Sequence, residues 1–247
     1  KSNPPPRRQS FRSGSAAMRG RFFFRAAGLR QSGGVASIPR MRRSLETTAR
    51  DVVQRLQEAG FTALYAGGCV RDRLMGVTPH DFDIATDAKP ADVQALFRRT
   101  FSVGAHFGVM IVMEDDTPFE VATFRHDGPY KDGRHPESVS FGSLEEDVQR
   151  RDFTVNGLYE DLRKNEIIDR VGGREDIQKK IIRAIGDPKK RFQEDHLRML
   201  RAVRFAVQLG FEIEPKTLAA VKELAPLLAK VSRERVRDEV SKILTSP

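Results

Sequence analysis

The sequence holds a single cysteine, and no apolar run approaches the ~20 residues that a membrane-crossing helix needs. Cys69 alone excludes an internal disulfide and fits a reducing compartment. It lies inside a glycine turn, where a small packed residue is a simpler reading than a nucleophile. Acidic residues are missing altogether from residues 1–43, where Lys1 and ten arginines give a charge of +11. The whole chain sums to +9, so residues 44–247 carry 32 basic and 34 acidic side chains and a balance of −2. That part is not generally basic, and any nucleic-acid contact must come from local patches.

With 247 residues the chain is long enough to bury a real core and suits two domains or subdomains. Residues 1–43, rich in Arg, Ser, Gly and Pro and without hydrophobic periodicity, read as a disordered extension. Met18 and Met41 are candidate starts; the preferred reading is an extension without function, and an organellar targeting peptide comes second. Residues 44–172 read as a mixed α/β head and residues 173–247 as a helical segment, an α+β architecture. A cytoplasmic location is expected.

The densest chemistry lies in Gly67-Gly68-Cys69-Val70-Arg71-Asp72 and Asp81-Phe82-Asp83. On an extended segment residues i and i+2 project to one side, so Asp81 and Asp83 would converge on one point. Paired carboxylates of this kind hold magnesium beside a substrate's phosphates. The glycines let backbone N–H groups approach a triphosphate, and Arg71 adds a fixed positive charge. A lone Asp-x-Asp or Gly-Gly turn is common and usually bland. The order strand, glycine turn, short helix, Asp-x-Asp strand is what suggests nucleotidyl transfer.

Ser44 to Ala59 reads as an amphipathic helix stopped by Gly60, and Pro90 to Phe97 as a helix opened by proline. Phe107 to Met113 and Phe119 to Phe124 flank a polar turn and read as a hairpin. Glu120 lies among apolar neighbours on its second strand; a cation would explain it, and so would the solvent face of an edge strand. Asp127 to Pro136 reads as a mobile loop, and Leu144 to Leu158 as a helix. Helices are further expected over Arg174–Lys180, Pro188–Leu209, Pro215–Leu228 and Ser232–Leu244. On the second of these, Met199, Leu200, Val203, Ala206 and Val207 share one face, and Glu194, Arg198 and Arg201 the other, with Asp195 and Arg204 at its borders. Such a charged face is ordinarily solvated, but it also presents fixed donors to a base and phosphates.

Five stretches in this order resemble the class II tRNA nucleotidyltransferases and bacterial poly(A) polymerases, a branch of the polymerase β-like nucleotidyltransferases. They are the glycine turn, Asp81 to Thr86, Glu120 to Arg125, Arg150 to Asn156, and Glu194-Asp195-x-x-Arg198. The resemblance runs from about residue 44 to the end and implies a polymerase β-like head followed by a helical neck and the start of a body domain. It implies that Asp81, Asp83 and Glu120 are catalytic and hold Mg2+. It also implies that Gly67, Gly68 and Arg71 meet the triphosphate, and that Arg151 and Asp152 meet phosphate and ribose. Asp195 and Arg198 would read the base edge of CTP or ATP, supported by Arg201 and Arg204. Family members use no template strand, so the protein supplies the hydrogen-bonding pattern, and RNA 3′ ends are the acceptors.

Within that family, poly(A) polymerases tend to carry a basic pair where this sequence has Gly104-Ala105-His106-Phe107, which favours CCA addition to tRNA. Enzymes adding only CC or only A share most of these motifs. Relatives normally continue into further helical domains that hold the tRNA, so a fragment or a short form is expected. The reading from another class is an RNA-binding protein that kept the fold without turnover; the clustered carboxylates speak against it, because they cost stability unless a metal uses them.

Overall fold

The computed structural model describes residues 43–104, 107–130 and 132–246. The expected disordered extension lies outside the described residues except for Arg43, which pairs with Asp51 and Asp115.

The chain enters through α1 (Leu45–Glu58), capped by the Ser44 hydroxyl, which accepts from the Thr47 N–H. Its Ala49, Val52, Val53 and Leu56 stripe is buried, and Gly60 stops it at φ 93°. β1 (Ala63–Ala66) is buried along its length, and the Gly67 turn leads into α2 (Gly68–Leu74). β2 (Asp83–Thr86), α3 (Pro90–Leu96) and β3 (Thr100–Gly104) follow. β4 (Val109–Glu114) and β5 (Thr117–Thr123) form the expected hairpin, turned by Asp115 and Asp116 at φ 46° and 59°. Next come β6 (Arg125–Asp127), β7 (Val139–Phe141), α4 (Leu144–Arg150), β8 (Leu158–Asp161) and β9 (Glu166–Asp169). The helical end comprises α5 (Gly173–Lys179), β10 (Ile181–Ile182), α6 (Pro188–Glu194), α7 (Arg198–Leu209), β11 (Glu212–Ile213), α8 (Pro215–Leu224) and α9 (Arg233–Leu244).

Seven strands make one sheet in the order β3-β4-β5-β2-β1-β8-β9. β2 and β5 are parallel; the other neighbours run antiparallel. One face packs against α1 and α3 through Tyr65, Ile84, Met110, Val112, Phe119 and Val121. The other face is covered by α4 on its β1–β8 side, where Val148 meets Leu64, Ala66, Ala85 and Tyr159. A further core joins Phe153 and Val155 to Met199, Ala202 and Phe205 in the helical end. Hydrogen bonds cross the expected boundary at residue 172, Thr154 Oγ1 donating to Asp176 at 2.6 Å.

Several expectations need correction. The expected helix over Leu144–Leu158 stops at Arg150, because Arg151 is extended and Thr154 donates its N–H to the Arg183 carbonyl, drawing Phe153 into the second core. Tertiary burial of Phe153 overrides local helical pattern here. Pro188–Leu209 is two helices, not one: Asp195 is extended at φ −138°, ψ 106°, and its carboxylate accepts from the Leu197 N–H, a local bond that competes with the helix. Pro215–Leu228 yields at Leu224 to a 3-10 segment, Ala225–Lys230, and β10 and β11 pair in the gaps between the expected helices. The buried face of α7 is Met199, Ala202 and Phe205, and Val207 is exposed. The segment Asp127 to Pro136, expected as a mobile loop, is a loop with fixed points: Tyr130 bridges Pro136, its hydroxyl donates to Asp127 at 2.7 Å, and Gly133 accepts from the His196 N–H.

Candidate functional site

Phe82 is buried while Asp81 is exposed and Asp83 half-buried, so the two carboxylates face away from the core on one side of the chain. β2 and β5 pair Ile84 with Val121; one step earlier the register sets Asp83 opposite Glu120. On β5, Phe119, Val121 and Thr123 are buried while Glu120 is half-buried, so Glu120 faces the same side as Asp83. The topology therefore brings Asp81, Asp83 and Glu120 to one open sheet face. It does not bring them into a closed cage: among the described residues no three of His, Cys, Asp and Glu stand close enough to hold an ion.

Gly67 abuts this face at φ 72°, a backbone conformation that favours glycine, and an added Cβ would lie 3.1 Å from Arg151 Nη1. Its N–H donates to the Leu158 carbonyl, while Gly68 opens α2. Cys69 is buried, and burial pushes its thiol up to about 12, in keeping with a packing role.

Arg151 is held by Tyr159, whose hydroxyl accepts from its Nε at 2.7 Å and whose ring lies 4.6 Å beneath the guanidinium. Burial opposes the charge on Arg151, but Tyr159, Asp147 and Asp83 outweigh it and raise its pKa above the usual arginine value. Asp147 accepts from the Tyr159 hydroxyl at 2.6 Å and from Arg150 at 2.8 Å. Burial would lift its carboxyl; Arg150 and Arg151 prevail and hold it below the usual range.

A chain of polar contacts runs from the glycine turn to α7. Arg71, buried, donates to Asp72 at 2.9 and 2.6 Å and to Asn156 Oδ1 at 2.6 Å. The Asn156 amide donates to Asp152 Oδ1 at 3.2 Å, and Asp152 Oδ2 accepts from Arg201 Nε at 2.8 Å. Burial again works to raise Asp152, and Arg201 overrides it, leaving the carboxyl far below the usual range. Arg71 and Arg201 also stack about Phe205, at 5.5 and 5.2 Å.

The expected base-reading pair is arranged differently from a simple couple. Arg198 is buried and donates to Glu194 at 2.8 Å and to the carbonyls of Arg191 and Arg150, each at 3.1 Å. Asp195 is clasped by Arg235 of α9, which donates to its two oxygens at 3.1 and 3.0 Å. Arg204, expected as a nucleotide contact, has three partners within the chain. Its Nε donates to buried Glu239 at 2.5 Å, its Nη1 to Gln208 at 2.8 Å, and its cation lies 4.0 Å over Phe205. That places Arg204 in the joint between α7 and α9.

Sequence reasoning missed Asn156, Asp147, Tyr159 and Arg235 as members of the site. Asn156 was visible as the last residue of the Arg151-Asp152 stretch. Arg235 sits one helical turn before Glu239, a spacing that puts both on one face of α9, but their partners 40 and 35 residues away carry no local signal.

A profile of the "Poly A polymerase head domain" matches residues 63–183, and one described as "Probable RNA and SrmB- binding site of polymerase A" matches residues 210–247. The CCA-adding enzyme of Limosilactobacillus reuteri is 48% identical over 198 residues, covering 79% of this chain and 49% of that protein. The crystal structure of the Bacillus stearothermophilus CCA-adding enzyme in complex with CTP aligns with a TM-score of 0.76 and 44% identity, over 83% of this chain and 50% of that one. A tRNA nucleotidyltransferase complexed with a primer tRNA and an incoming ATP analog aligns with a TM-score of 0.65 and 31% identity, over 78% and 58%. The fold is thus a polymerase β-like nucleotidyltransferase head with a helical continuation. The chain belongs to the family of class II tRNA nucleotidyltransferases and bacterial poly(A) polymerases. It spans about half the length of the curated relatives it matches.

Proposed function

We propose that this chain adds cytidine and adenosine to the 3′ end of tRNA, completing CCA from CTP and ATP without a template strand. The observation that carries the reading is the register that sets Asp83 opposite Glu120 on an open sheet face, beside the Gly67 turn and Arg151. The curated relatives and the CTP-bound neighbour named above support it. Among the described helices none is long and apolar enough to cross a membrane, and a tRNA substrate suits the cytoplasm.

Enzymes of this class generally use a divalent cation, and magnesium is the one proposed here. Asp81, Asp83 and Glu120 offer oxygen donors only, which suits a hard cation. Magnesium keeps several waters and completes its shell with substrate phosphates, so three carboxylates need not enclose it. Bound there, the cation would lower the pKa of an attacking hydroxyl and offset charge on the leaving group. The RNA 3′-oxygen bonds to the α-phosphorus, the α–β anhydride bond breaks, and pyrophosphate departs with the electron pair while the hydroxyl proton passes to water. Arg71 and Arg151 face the triphosphate with fixed charge, and the Asp152–Arg201 pair orients ribose and base between head and neck. Positioning and electrostatics supply most of the rate in such chemistry.

Base choice falls to Asp195 and Arg198. Asp195 accepts from the exocyclic amino group of cytosine or adenine, and Arg198 donates to the adjacent ring nitrogen. Uracil and guanine present a carbonyl to Asp195 instead, a mismatch that costs on the order of 1–3 kcal/mol.

The test is incubation of the protein with tRNAs ending before, within and one residue short of CCA, with labelled CTP or ATP, and sequencing of the products. Completion of CCA and then arrest supports the reading. Long adenosine tails would indicate a poly(A) polymerase, and no incorporation would indicate an RNA-binding protein.

A further inference from the structure

The two halves of the outer sheet face differ. Over β1 and β8 it lies beneath α4 and is buried. Toward β5, β4 and β3, Glu120, Ala122, Val109 and Ile111 are half-buried and Phe101 is exposed. The register there is continuous: Glu120 pairs with Ile111, and Ile111 pairs with Phe101. Directly opposed residues share a face, so Asp83, Glu120, Ile111 and Phe101 form one row across four strands. Val109 and Ala122, paired with each other on the same face, extend it by a second row. The row begins with carboxylates and ends with Phe101, which is 55% exposed. At about 4.8 Å per strand, Phe101 stands roughly 10 Å from Glu120.

We propose that this apolar ledge seats the unpaired 3′ end of the acceptor RNA, with Phe101 stacking on the base of the last nucleotide or its neighbour. The inference rests on the function proposed above and names where the second substrate lies. Three observations support RNA as the occupant. The ledge is continuous with the carboxylates at which the 3′-hydroxyl must react, and the reach from Glu120 to Phe101 suits a terminal nucleotide. It offers a ring and aliphatic surface, which suits stacking that tolerates a primer end whose base changes as nucleotides are added. Arg98, exposed and directly before β3, brings positive charge to the same edge for a phosphate backbone, and Arg99 beside it pairs with Asp116. A second copy of the chain, pairing along the β3 edge, is disfavoured by the irregularity between Ser102 and Gly104, which interrupts a flat strand edge.

The experiment uses a tRNA minihelix whose single-stranded 3′ end carries 2-aminopurine as its terminal base, a fluorophore quenched on stacking. The wild-type chain should quench it on binding. Phe101→Ala and Phe101→Leu should both lose the quenching and bind the minihelix about tenfold more weakly, while CTP binding stays at the wild-type value. Phe101→Tyr should keep the quenching. CTP binding also reports that the variants are folded. Unchanged quenching and affinity in Phe101→Ala would overturn the proposal, as would a wild-type dimer that Phe101→Ala converts to monomer with quenching intact. If the wild-type chain quenches the minihelix through Phe101 but incorporates neither CTP nor ATP, the functional reading fails and the seat stands.

Discussion

The carboxylate edge and the arginine-rich seam meet at Gly67, yet they handle charge in opposite ways. On the edge, Asp81, Asp83 and Glu120 gather like charges on an open face without closing around one another. In the seam nearly every charge has an opposite partner: Arg71 with Asp72, Asp152 with Arg201, Arg204 with Glu239, Asp195 with Arg235. Gathering like charges costs stability that a bound cation would offset, whereas paired buried charges hold geometry and are expensive to break. The difference teaches where to look for each property. Turnover should depend on the edge, and both fold and selectivity on the seam.

The largest expected effect lies on the edge. Asp81→Ala or Asp83→Ala should lower nucleotide incorporation by on the order of a thousandfold or more while the chain stays folded, because the carboxylates that would hold the cation are lost. Paired incorporation assays and melts check this. Near-normal incorporation in both variants would remove the edge from the chemistry. In the seam the effect should invert. Glu239→Ala strands the buried Arg204 cation and should cost about 3 kcal/mol in urea unfolding. A loss under half of that would mean the joint between α7 and α9 is weaker than its geometry implies.

Acid sharpens the same contrast more gently. The Asp152 and Asp147 carboxyls are held below their unfolded values by Arg201 and by Arg150 and Arg151, against the pull of burial. A depressed folded pKa contributes stability that is fully present above the unfolded value near 4 and is lost as pH falls through the folded one. The stability gap between wild type and Asp152→Asn should therefore be constant from pH 7 to about 5 and should narrow below about 4. A gap independent of pH would show that Asp152 acts by packing alone. The smallest effect concerns Cys69, whose buried thiol is pushed up to about 12. Intact-mass measurement after iodoacetamide at pH 8 should find the folded chain unmodified and the urea-unfolded chain alkylated once; rapid modification of the folded chain would place the glycine turn in an open state.

Much of the head was legible before the structure, for local reasons. Ser44, Gly60 and Pro90 punctuate helices chemically, and the alternation of Phe119, Val121 and Thr123 around Glu120 reports a strand with one buried face. The i, i+2 spacing of Asp81 and Asp83 is that of residues sharing one side of an extended segment. Register was not legible: nothing near Asp83 in the sequence says that β5 will lie parallel beside it. The neck misled for a physical reason. Glu194 to Arg204 has a helical pattern throughout, but Asp195 trades helix continuity for a bond to the Leu197 N–H and a clasp from Arg235. The break that defeated the pattern is where base selection is proposed to occur. Phe153 behaves alike, its burial among Met199, Ala202 and Phe205 ending α4 against local preference.

The division of labour is tested most directly by measuring, for wild type, Asp83→Ala and Asp195→Ala, the equilibrium binding of CTP, ATP, UTP and GTP beside their incorporation into one defined tRNA. Asp83→Ala should keep the wild-type preference for CTP and ATP in binding while incorporation disappears. Asp195→Ala should bind and incorporate all four with their differences reduced by about ten- to a hundredfold. An active, folded Asp195→Ala chain with unchanged base preference, or an Asp83→Ala chain that loses that preference along with turnover, would contradict it.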